Sequence, residues 1–313
     1  MIDFKNKTAV ITGAAGGIGF ALASECARRG MNLVLTDIED KALNKAEERL
    51  DAPGIKTLSG DIRDAAFVKD LADLCYREFG SADLLFNNAG VAAGSSIWDT
   101  TAEDWDWVMG VNFQGVLNGT REFIPRMLAQ DSPCHVVNTA SVAGLVSYHP
   151  SAAYQVSKHA VAALSEQLYH SLTLKQRKIG VTLVCPGWVN TKILEAERNR
   201  PVGVQKSEKN REEEIVRASF QRAVDKAMSP ETLADMIFQA IEKNQFYLLP
   251  DPTWKDLVSQ RMNEILEEKN PASSAALNGF LSDKRALAEL AAAQLREKSS
   301  GFLKRFSRNR SRR

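Results

Sequence analysis

The sequence lacks a long hydrophobic run, since no window of about 18 consecutive apolar residues occurs in it. A helix needs about 20 mostly apolar residues to cross a bilayer, so no membrane span is predicted. The first residues, MIDFKNKTAVITG, also lack the basic start and apolar stretch of a secretory signal. A cytoplasmic location is therefore expected.

Cysteine and histidine are both scarce, with four of each among 313 residues. The cysteines form no CxxC pair and lie in apolar or helical contexts, which predicts reduced and buried thiols. The histidines show no spacing typical of metal ligands, and no cysteine lies near them. No metal site is predicted. The four histidines are His135, His149, His159 and His170.

A dense cluster of positive charge occurs only at the end of the sequence. The last 13 residues, GFLKRFSRNRSRR, contain six of the 40 basic residues and no acidic residue, which leaves 34 basic against 39 acidic residues, a body at −5. A mildly acidic body does not favour nucleic acid as a partner. The tail, residues 301–313, is interpreted as a flexible, solvated segment; contact with an anionic membrane surface or an acidic partner is the alternative.

The first 190 residues alternate short apolar runs with longer helical patterns. Strands this apolar, with helices between them, are typical of a parallel sheet covered on both faces. A single Rossmann-like, doubly wound α/β domain is therefore predicted for residues 1–250, with a densely charged substrate lid at 192–227 and a helical extension at 251–300. The predicted strands are 8–12, 32–37, 55–61, 83–90, 135–141, 180–187 and 246–250.

A glycine-rich stretch, TGAAGGIG (12–19), follows the first predicted strand and opens the first helix. Gly13 permits a tight turn, Gly17 lets the backbone approach a phosphate, and Gly19 lets the helix pack close to the strand. Glycine patterns alone are weak evidence, but strand, turn and helix in this order predict nucleotide binding.

Asp37 ends the second predicted strand and indicates which dinucleotide is bound. A carboxylate at this point accepts hydrogen bonds from the adenine ribose and repels a 2′-phosphate. Ile38 follows it where an arginine would hold that phosphate, so NAD is predicted rather than NADP. The alternative is that Asp37 caps the helix beginning near Asp40.

Tyr154 and Lys158, in AAYQVSKHA, are four residues apart and share one face of a predicted helix. An ammonium beside a phenol lowers the pKa of the phenol, which suits a general acid or base. The pair alone is common on protein surfaces. Ser141 ends a strand at the edge where α/β sheets bind ligands. Asn112 lies within a predicted helix, where asparagine is disfavoured; a specific hydrogen bond is one interpretation and solvent exposure the other.

These elements together resemble the classical short-chain dehydrogenase/reductase family. The stretches TGAAGGIG, SGDIRD, NNAG, YQVSK and PGWVNT fall in the family's order across residues 5–250. The resemblance implies a catalytic set in which Tyr154 transfers the substrate proton and Ser141 positions the substrate oxygen. Lys158 would hold the nicotinamide ribose and lower the Tyr154 pKa, while Asn112 would anchor a water in a proton relay.

The same resemblance implies a set of cofactor contacts besides Tyr154 and Lys158. They are Gly13, Gly17, Ile18 and Gly19 at the pyrophosphate; Asp37 and Ile38 at the ribose; Asp61 and Ile62 at adenine; Asn88, Ala89 and Gly90 on the adenosine side; and Pro186, Gly187, Val189 and Thr191 at the nicotinamide.

The activity implied is NAD(H)-dependent interconversion of a secondary alcohol and a ketone. An NADP(H)-linked carbonyl or acyl-thioester reductase and a non-catalytic nucleotide sensor are the alternatives. The substrate pocket is expected to be largely apolar and lined by 91–98, 142–151 and 188–220. A homodimer or homotetramer, formed by helices at about 103–129 and 152–176, is also expected.

Overall fold

A computed structural model of the chain describes residues 3–147, 151–203 and 220–271. Its centre is a seven-stranded parallel sheet in the order β3-β2-β1-β4-β5-β6-β7. The predicted Rossmann-like, doubly wound α/β fold is confirmed. The strands are β1 Thr8–Thr12, β2 Asn32–Asp37, β3 Ile55–Ser59, β4 Leu84–Asn87, β5 Cys134–Thr139, β6 Ile179–Val184 and β7 Tyr247–Leu248.

Helices cover both faces of the sheet. They are α1 Gly17–Arg28, α2 Asp40–Glu47, α3 Ala65–Phe79, α4 Ala102–Met109, α5 Gly115–Gln130, α6 Ala152–Leu174, α7 Pro230–Glu242 and α8 Thr253–Leu266. Their ends follow local chemistry: the Ser229 hydroxyl accepts the Thr232 N–H ahead of α7, whose first residue is Pro230, as predicted. Gly80 ends α3 in the left-handed conformation.

The core is divided by the sheet into two apolar layers. Successive side chains of a strand point to opposite faces, so Ile11 packs with α1 and α7 while Val10 packs with α3 and α5. All five residues of β1 and all six of β5 are buried. Strands buried on both faces do not alternate between apolar and polar residues, and β5 also buries the polar side chains of His135, Asn138 and Thr139.

Several predicted elements differ in extent. Strands predicted to reach residues 61, 90 and 187 end at Ser59, Asn87 and Val184, because the residues that follow turn into loops at the carboxyl edge. The helix expected near 103–129 is interrupted by a π-helical segment, Gly110–Gln114, between α4 and α5. Of the expected lid, residues 204–219 lie outside the described residues; the portion Ile193–Asn199 is a short 3₁₀ helix.

Helix α8 follows the last strand, where the sequence predicts helical structure, and residues 272–313, including the basic tail, lie outside the described residues. Within the residues described, none of the helices has the length and apolar character needed to cross a membrane. The order of β1 and β4, neighbours in the sheet but distant in the chain, opens a crevice at their carboxyl ends. This crevice holds the site.

Candidate active site

The turn between β1 and α1 has the geometry that its glycines allow. Gly13 and Gly17 have φ angles of +68° and +53°, in the left-handed region that favours glycine. A Cβ on Gly19 would lie 2.0 Å from the Gly13 carbonyl oxygen, so α1 packs directly on the turn. Gly16, the N-cap of α1, provides no side-chain cap, and the first turn carries no acidic residue. The positive end of the helix is thus compatible with a phosphate.

Asp37 joins this turn to the end of β2. Its carboxylate accepts the Ala15 N–H and the Glu39 N–H, both at 3.0 Å. Burial raises the pKa of Asp37, and these backbone hydrogen bonds act in the opposite direction. The N-cap position of α2 belongs to Glu39, so the alternative in which Asp37 caps that helix is wrong. Ile38 beside it is 47% exposed.

The loops after β3 and β4 complete the adenosine side of the crevice. Asp61 accepts the Arg63 N–H at 2.9 Å and forms an ion pair with the Arg63 guanidinium at 2.6 Å, while Ile62 is buried against α5. Asn88 and Ala89 both donate their N–H groups to the Thr12 hydroxyl, at 2.9 and 3.0 Å. The NNAG loop is therefore tied to β1 next to Gly13, and Gly90 lies in the lining of the pocket.

Tyr154 and Lys158 lie on α6 and face the same pocket. The Lys158 ammonium donates to the Thr139 carbonyl at 2.8 Å and lies 5.6 Å from the centroid of the Tyr154 ring. Burial lowers the pKa of Lys158 to about 8. Burial also raises the pKa of the Tyr154 phenol, against a smaller opposing effect of its hydrogen bond with Ser141. The expected lowering of the Tyr154 pKa is thus not found, because burial disfavours the phenolate.

Ser141 is positioned by the turn that follows β5. Its hydroxyl accepts the Ala143 N–H at 3.1 Å and donates to the Pro186 carbonyl at 3.4 Å. The hydrogen bond between Ser141 and Tyr154 places both hydroxyl groups at one point of the pocket. A substrate oxygen at that point has two polar partners.

Asn112 is fully buried in the π-helical segment, so solvent exposure is wrong and a specific hydrogen-bonding role is confirmed. Its amide accepts the Val91 N–H at 2.8 Å and donates to the Val91 carbonyl and the Ser157 hydroxyl, both at 2.9 Å. The residue thereby joins the loop after β4 to α6. The Asn112 side chain forms hydrogen bonds with protein groups. Its part in a proton relay stays a prediction.

The loop after β6 forms the remaining wall. Pro186 accepts the Val142 N–H at 2.9 Å, and Val189 is bridged to Met228. Thr191 lies over the glycine turn, where a Cβ on Gly17 would come within 3.1 Å of its methyl group. Thr191, the last residue of PGWVNT, therefore meets the glycine turn across the crevice.

The comparisons with known proteins agree with this geometry. A family model described as "short chain dehydrogenase" matches residues 7–201. A CLA biosynthesis dehydrogenase/reductase from Lactiplantibacillus plantarum is 33% identical over 87% of this chain and 97% of that protein. The chain belongs to the short-chain dehydrogenase family. It is therefore an oxidoreductase, as predicted.

Two further members of the family are similar along most of their length. A C alpha-dehydrogenase from Sphingobium sp. (strain NBRC 103272 / SYK-6) is 34% identical over 88% of this chain and 90% of that protein. The crystal structure of a short-chain dehydrogenase/reductase from Burkholderia phymatum in complex with NAD superposes with a TM-score of 0.85. It is 41% identical and covers 87% of this chain and 99% of that one.

In this enzyme the described residues enclose a cavity of about 170 Å³ beside Tyr154. Of the expected ranges 91–98, 142–151 and 188–220, the lining includes Ala92, Val142, Trp188 and Ile193 but not Leu145 or Val146; residues 148–150 and 204–219 lie outside the described residues. Four further lining residues were missed by sequence reasoning: Thr139, Ala140, Gln155 and Trp254. Gln155 follows Tyr154 directly, and that adjacency was the available signal. Trp254 lies beyond the predicted catalytic domain.

A segment that we call the strap, residues 191–200, crosses the crevice from the pocket to the adenosine side. Glu39 accepts hydrogen bonds from Arg198 at 2.9 Å and from Asn199 at 3.0 Å. At the other anchor, Arg200 forms an ion pair at 2.6 Å with Asp104, whose side chain is 0% exposed. Hydrogen bonding to Glu197 and Asp104 raises the pKa of Arg200.

The remaining titratable groups have structural surroundings. All four cysteines are buried, as predicted, and none forms a disulfide; burial raises the pKa of Cys185 to about 12. Across residues 3–147, 151–203 and 220–271, no cluster of three His, Cys, Asp or Glu side chains has the arrangement of a metal site. Trp107 is buried, whereas Trp98 is 80% exposed.

Proposed function

We propose that the enzyme is an NAD(H)-dependent oxidoreductase that interconverts a secondary alcohol and a ketone by hydride transfer. The observation that carries this proposal is the convergence of Ser141, Tyr154 and Lys158 on one pocket beside a glycine turn. Asn112 supports that convergence by holding the loop after β4 against α6.

The residues around the crevice fit a dinucleotide. The turn between β1 and α1 has left-handed glycines and an uncapped helix N-terminus, both suited to a pyrophosphate. Asp37 supports NAD over NADP because a carboxylate repels a 2′-phosphate. The related structure from Burkholderia phymatum, which contains NAD, is consistent with this choice. The cofactor contacts predicted from the sequence, including Asp61 and Ile62 at adenine, are proposed unchanged.

Each catalytic side chain has a separate task in the proposed mechanism. The nicotinamide supplies hydride acceptance or donation when it is bound. Ser141 holds the substrate oxygen by a hydrogen bond, and Tyr154 removes or returns its proton. The Lys158 ammonium would bind the nicotinamide ribose. Asn112 maintains the loop geometry and anchors a water that carries the proton from Lys158 to solvent.

The same observations give less support to two alternative functions. An NADP(H)-linked reductase of carbonyls or acyl thioesters would require a cation where Asp37 and Ile38 lie. A non-catalytic nucleotide sensor would not need Ser141, Tyr154 and Lys158 together in one pocket. All four catalytic residue types are retained.

The wider organisation is proposed on the same basis. Residues 1–250 would form the catalytic domain, with a substrate lid at 192–227, followed by a helical extension at 251–300 and a solvated basic tail. A homodimer or homotetramer would pair α4, α5 and α6 with a second copy, and the protein would act in the cytoplasm on a small, largely apolar alcohol or ketone.

The test combines cofactor binding with turnover. Titration with NADH and NADPH measures cofactor preference, and absorbance of the reduced nicotinamide follows oxidation of a panel of secondary alcohols. We expect tighter NADH binding and alcohol-dependent reduction of NAD, with Ser141→Ala lowering kcat but leaving NADH affinity unchanged. Tighter NADPH binding, or cofactor binding without turnover of any alcohol, would contradict the proposal.

A further inference from the structure

One wall of the substrate pocket is aromatic. Trp188, Phe220 and Trp254 line the same cavity as Ser141 and Tyr154. The rings of Trp188 and Phe220 have centroids 4.9 Å apart with planes tilted by 46°. Each aromatic ring offers a planar, apolar face, and such faces favour another ring as their partner.

Trp254 reaches this wall from outside the dinucleotide-binding sheet. It lies in the first turn of α8, which follows the last strand, and is only 7% exposed. The Asp251 carboxylate accepts the Thr253 N–H at 3.0 Å and the Thr253 hydroxyl at 2.7 Å, which fixes the start of the helix. The indole is therefore placed by an element that ordinary dinucleotide binding does not require.

Gly187 provides the room for this indole. A Cβ on Gly187 would lie 2.2 Å from the Trp254 Nε1 atom and 3.0 Å from its Cε2 atom. The preceding residue, Pro186, accepts hydrogen bonds from the Ser141 hydroxyl and from the Val142 N–H. Trp254 thus packs on the same turn that positions Ser141.

We propose that Trp254 determines substrate specificity, and that the substrate is a secondary alcohol or ketone whose reacting carbon carries a planar aromatic group. The inference rests on the proposed function, since Ser141 and Tyr154 must engage the oxygen while the aromatic group packs against the indole. An aromatic contact of this kind corresponds to roughly twofold to tenfold in affinity.

The test uses two ligands of the same carbon skeleton, one with an aromatic ring and one with a saturated ring. Acetophenone and cyclohexyl methyl ketone have the same carbon skeleton and the same reacting carbonyl, but only the first has a flat ring. Calorimetry measures the dissociation constant of each ketone with the NAD-saturated enzyme, a complex that cannot turn over. The corresponding alcohols, 1-phenylethanol and 1-cyclohexylethanol, then give kcat/KM with NAD.

The variants separate the indole from the fold. We expect the wild type to favour acetophenone by roughly twofold to tenfold and Trp254→Ala to abolish that preference. Trp254→Phe should retain most of it, because a smaller aromatic surface remains. Trp98→Ala, which removes an exposed tryptophan, should leave the preference unchanged. NAD affinity and thermal melting of each variant show whether the enzyme is still folded.

The outcomes distinguish this inference from the proposed function. Equal affinity of the wild type for both ketones, or no detectable binding of either, overturns the aromatic assignment even if other alcohols are oxidised. A preference that persists in folded Trp254→Ala overturns the role of Trp254. Selective ketone binding that depends on Trp254, without oxidation of either alcohol, supports the inference and contradicts the proposed reaction instead.

Discussion

The two halves of the crevice are built in different ways. The cofactor half consists of the glycine turn, Asp37 and the NNAG loop, which are joined by backbone N–H groups of Ala15, Asn88 and Ala89. The substrate half consists of the strap and the aromatic wall, which are held by ion pairs and ring contacts between separate segments. The first half is defined by main-chain geometry and the second by side chains.

This difference determines which changes each half tolerates. In the cofactor half an added Cβ at Gly19 would collide with a carbonyl oxygen, so the backbone itself is the constraint. In the substrate half the buried ion pair of Arg200 with Asp104 fixes the strap, and the Trp254 indole packs where Gly187 has no Cβ. We therefore expect side-chain substitutions in the substrate half to change substrate use, and those in the cofactor half to change cofactor choice.

The largest effect on kcat is expected for Tyr154, where the cofactor half and the substrate half meet. Tyr154→Phe removes the ionisable proton and keeps the ring, so kcat should fall by roughly 10²–10⁴ while NAD affinity stays within about twofold. Steady-state kinetics and NADH titration measure both. Tyr247→Phe, at the exposed edge strand, is the matched control and should keep wild-type kcat. Retention of more than half of kcat in Tyr154→Phe would remove Tyr154 from the mechanism.

The next largest effect should be confined to the substrate half. Arg200→Leu leaves the buried Asp104 carboxylate without its ion pair, which should lower the free energy of unfolding by about 3–5 kcal/mol. Arg198→Leu, which breaks an exposed ion pair of the same strap, should cost about 1 kcal/mol or less. Chemical denaturation of both variants checks the difference. Similar losses in the two would show that burial of the pair does not matter.

A change restricted to the cofactor half should alter the choice of dinucleotide. Asp37→Ala combined with Ile38→Arg removes a repelling carboxylate and adds a guanidinium for a 2′-phosphate. We expect the NADP to NAD ratio of kcat/KM to rise roughly tenfold to a hundredfold, as for hydrogen bonds to charged groups. The KM of the alcohol should not change. A wild type that already prefers NADP would show that Asp37 has another role.

The titration of Lys158 should make cofactor affinity depend on pH. Burial lowers the pKa of Lys158 from 10.5 to about 8, so its charge is present below pH 8 and is lost as the pH rises through that value. NAD affinity should fall about tenfold across this window, since a charged hydrogen bond is lost. Calorimetry at several pH values tests this, with Lys158→Met as the control. A titration of equal size in Lys158→Met would exclude the ammonium as its source.

The smallest effect concerns the contact between the halves. Glu39→Gln keeps the hydrogen-bonding shape but removes the charge that attracts Arg198, a partly exposed pair worth about 0.2–1 kcal/mol. We expect the KM of the alcohol to rise roughly twofold to fivefold with kcat unchanged, and the difference to vanish at high salt. Kinetics at low and high ionic strength decide this. A salt-independent change would point to local packing.

The difference between the cofactor half and the substrate half explains which site residues could be predicted from the sequence. Gly13, Asp37 and the NNAG loop were predictable because each lies at the end of a recognisable strand, where parallel topology brings consecutive motifs to one edge. Trp254 was not predicted, since its contact with Gly187 joins segments far apart in the chain. The pKa of Tyr154 was predicted in the wrong direction because spacing reports a neighbouring charge but not the depth of burial.

The π-helical segment Gly110–Gln114 changes the direction in which side chains point along the continuous helix formed by α4 and α5. Each residue of an α-helix advances the side-chain direction by about 100°, and a π turn accommodates one residue more than an α turn. That surplus residue lets Asn112 point at Val91 while Val116 and Phe123, further along, still meet the sheet core. Deleting a single residue here would restore a regular helix and rotate one of these two faces away from its partner.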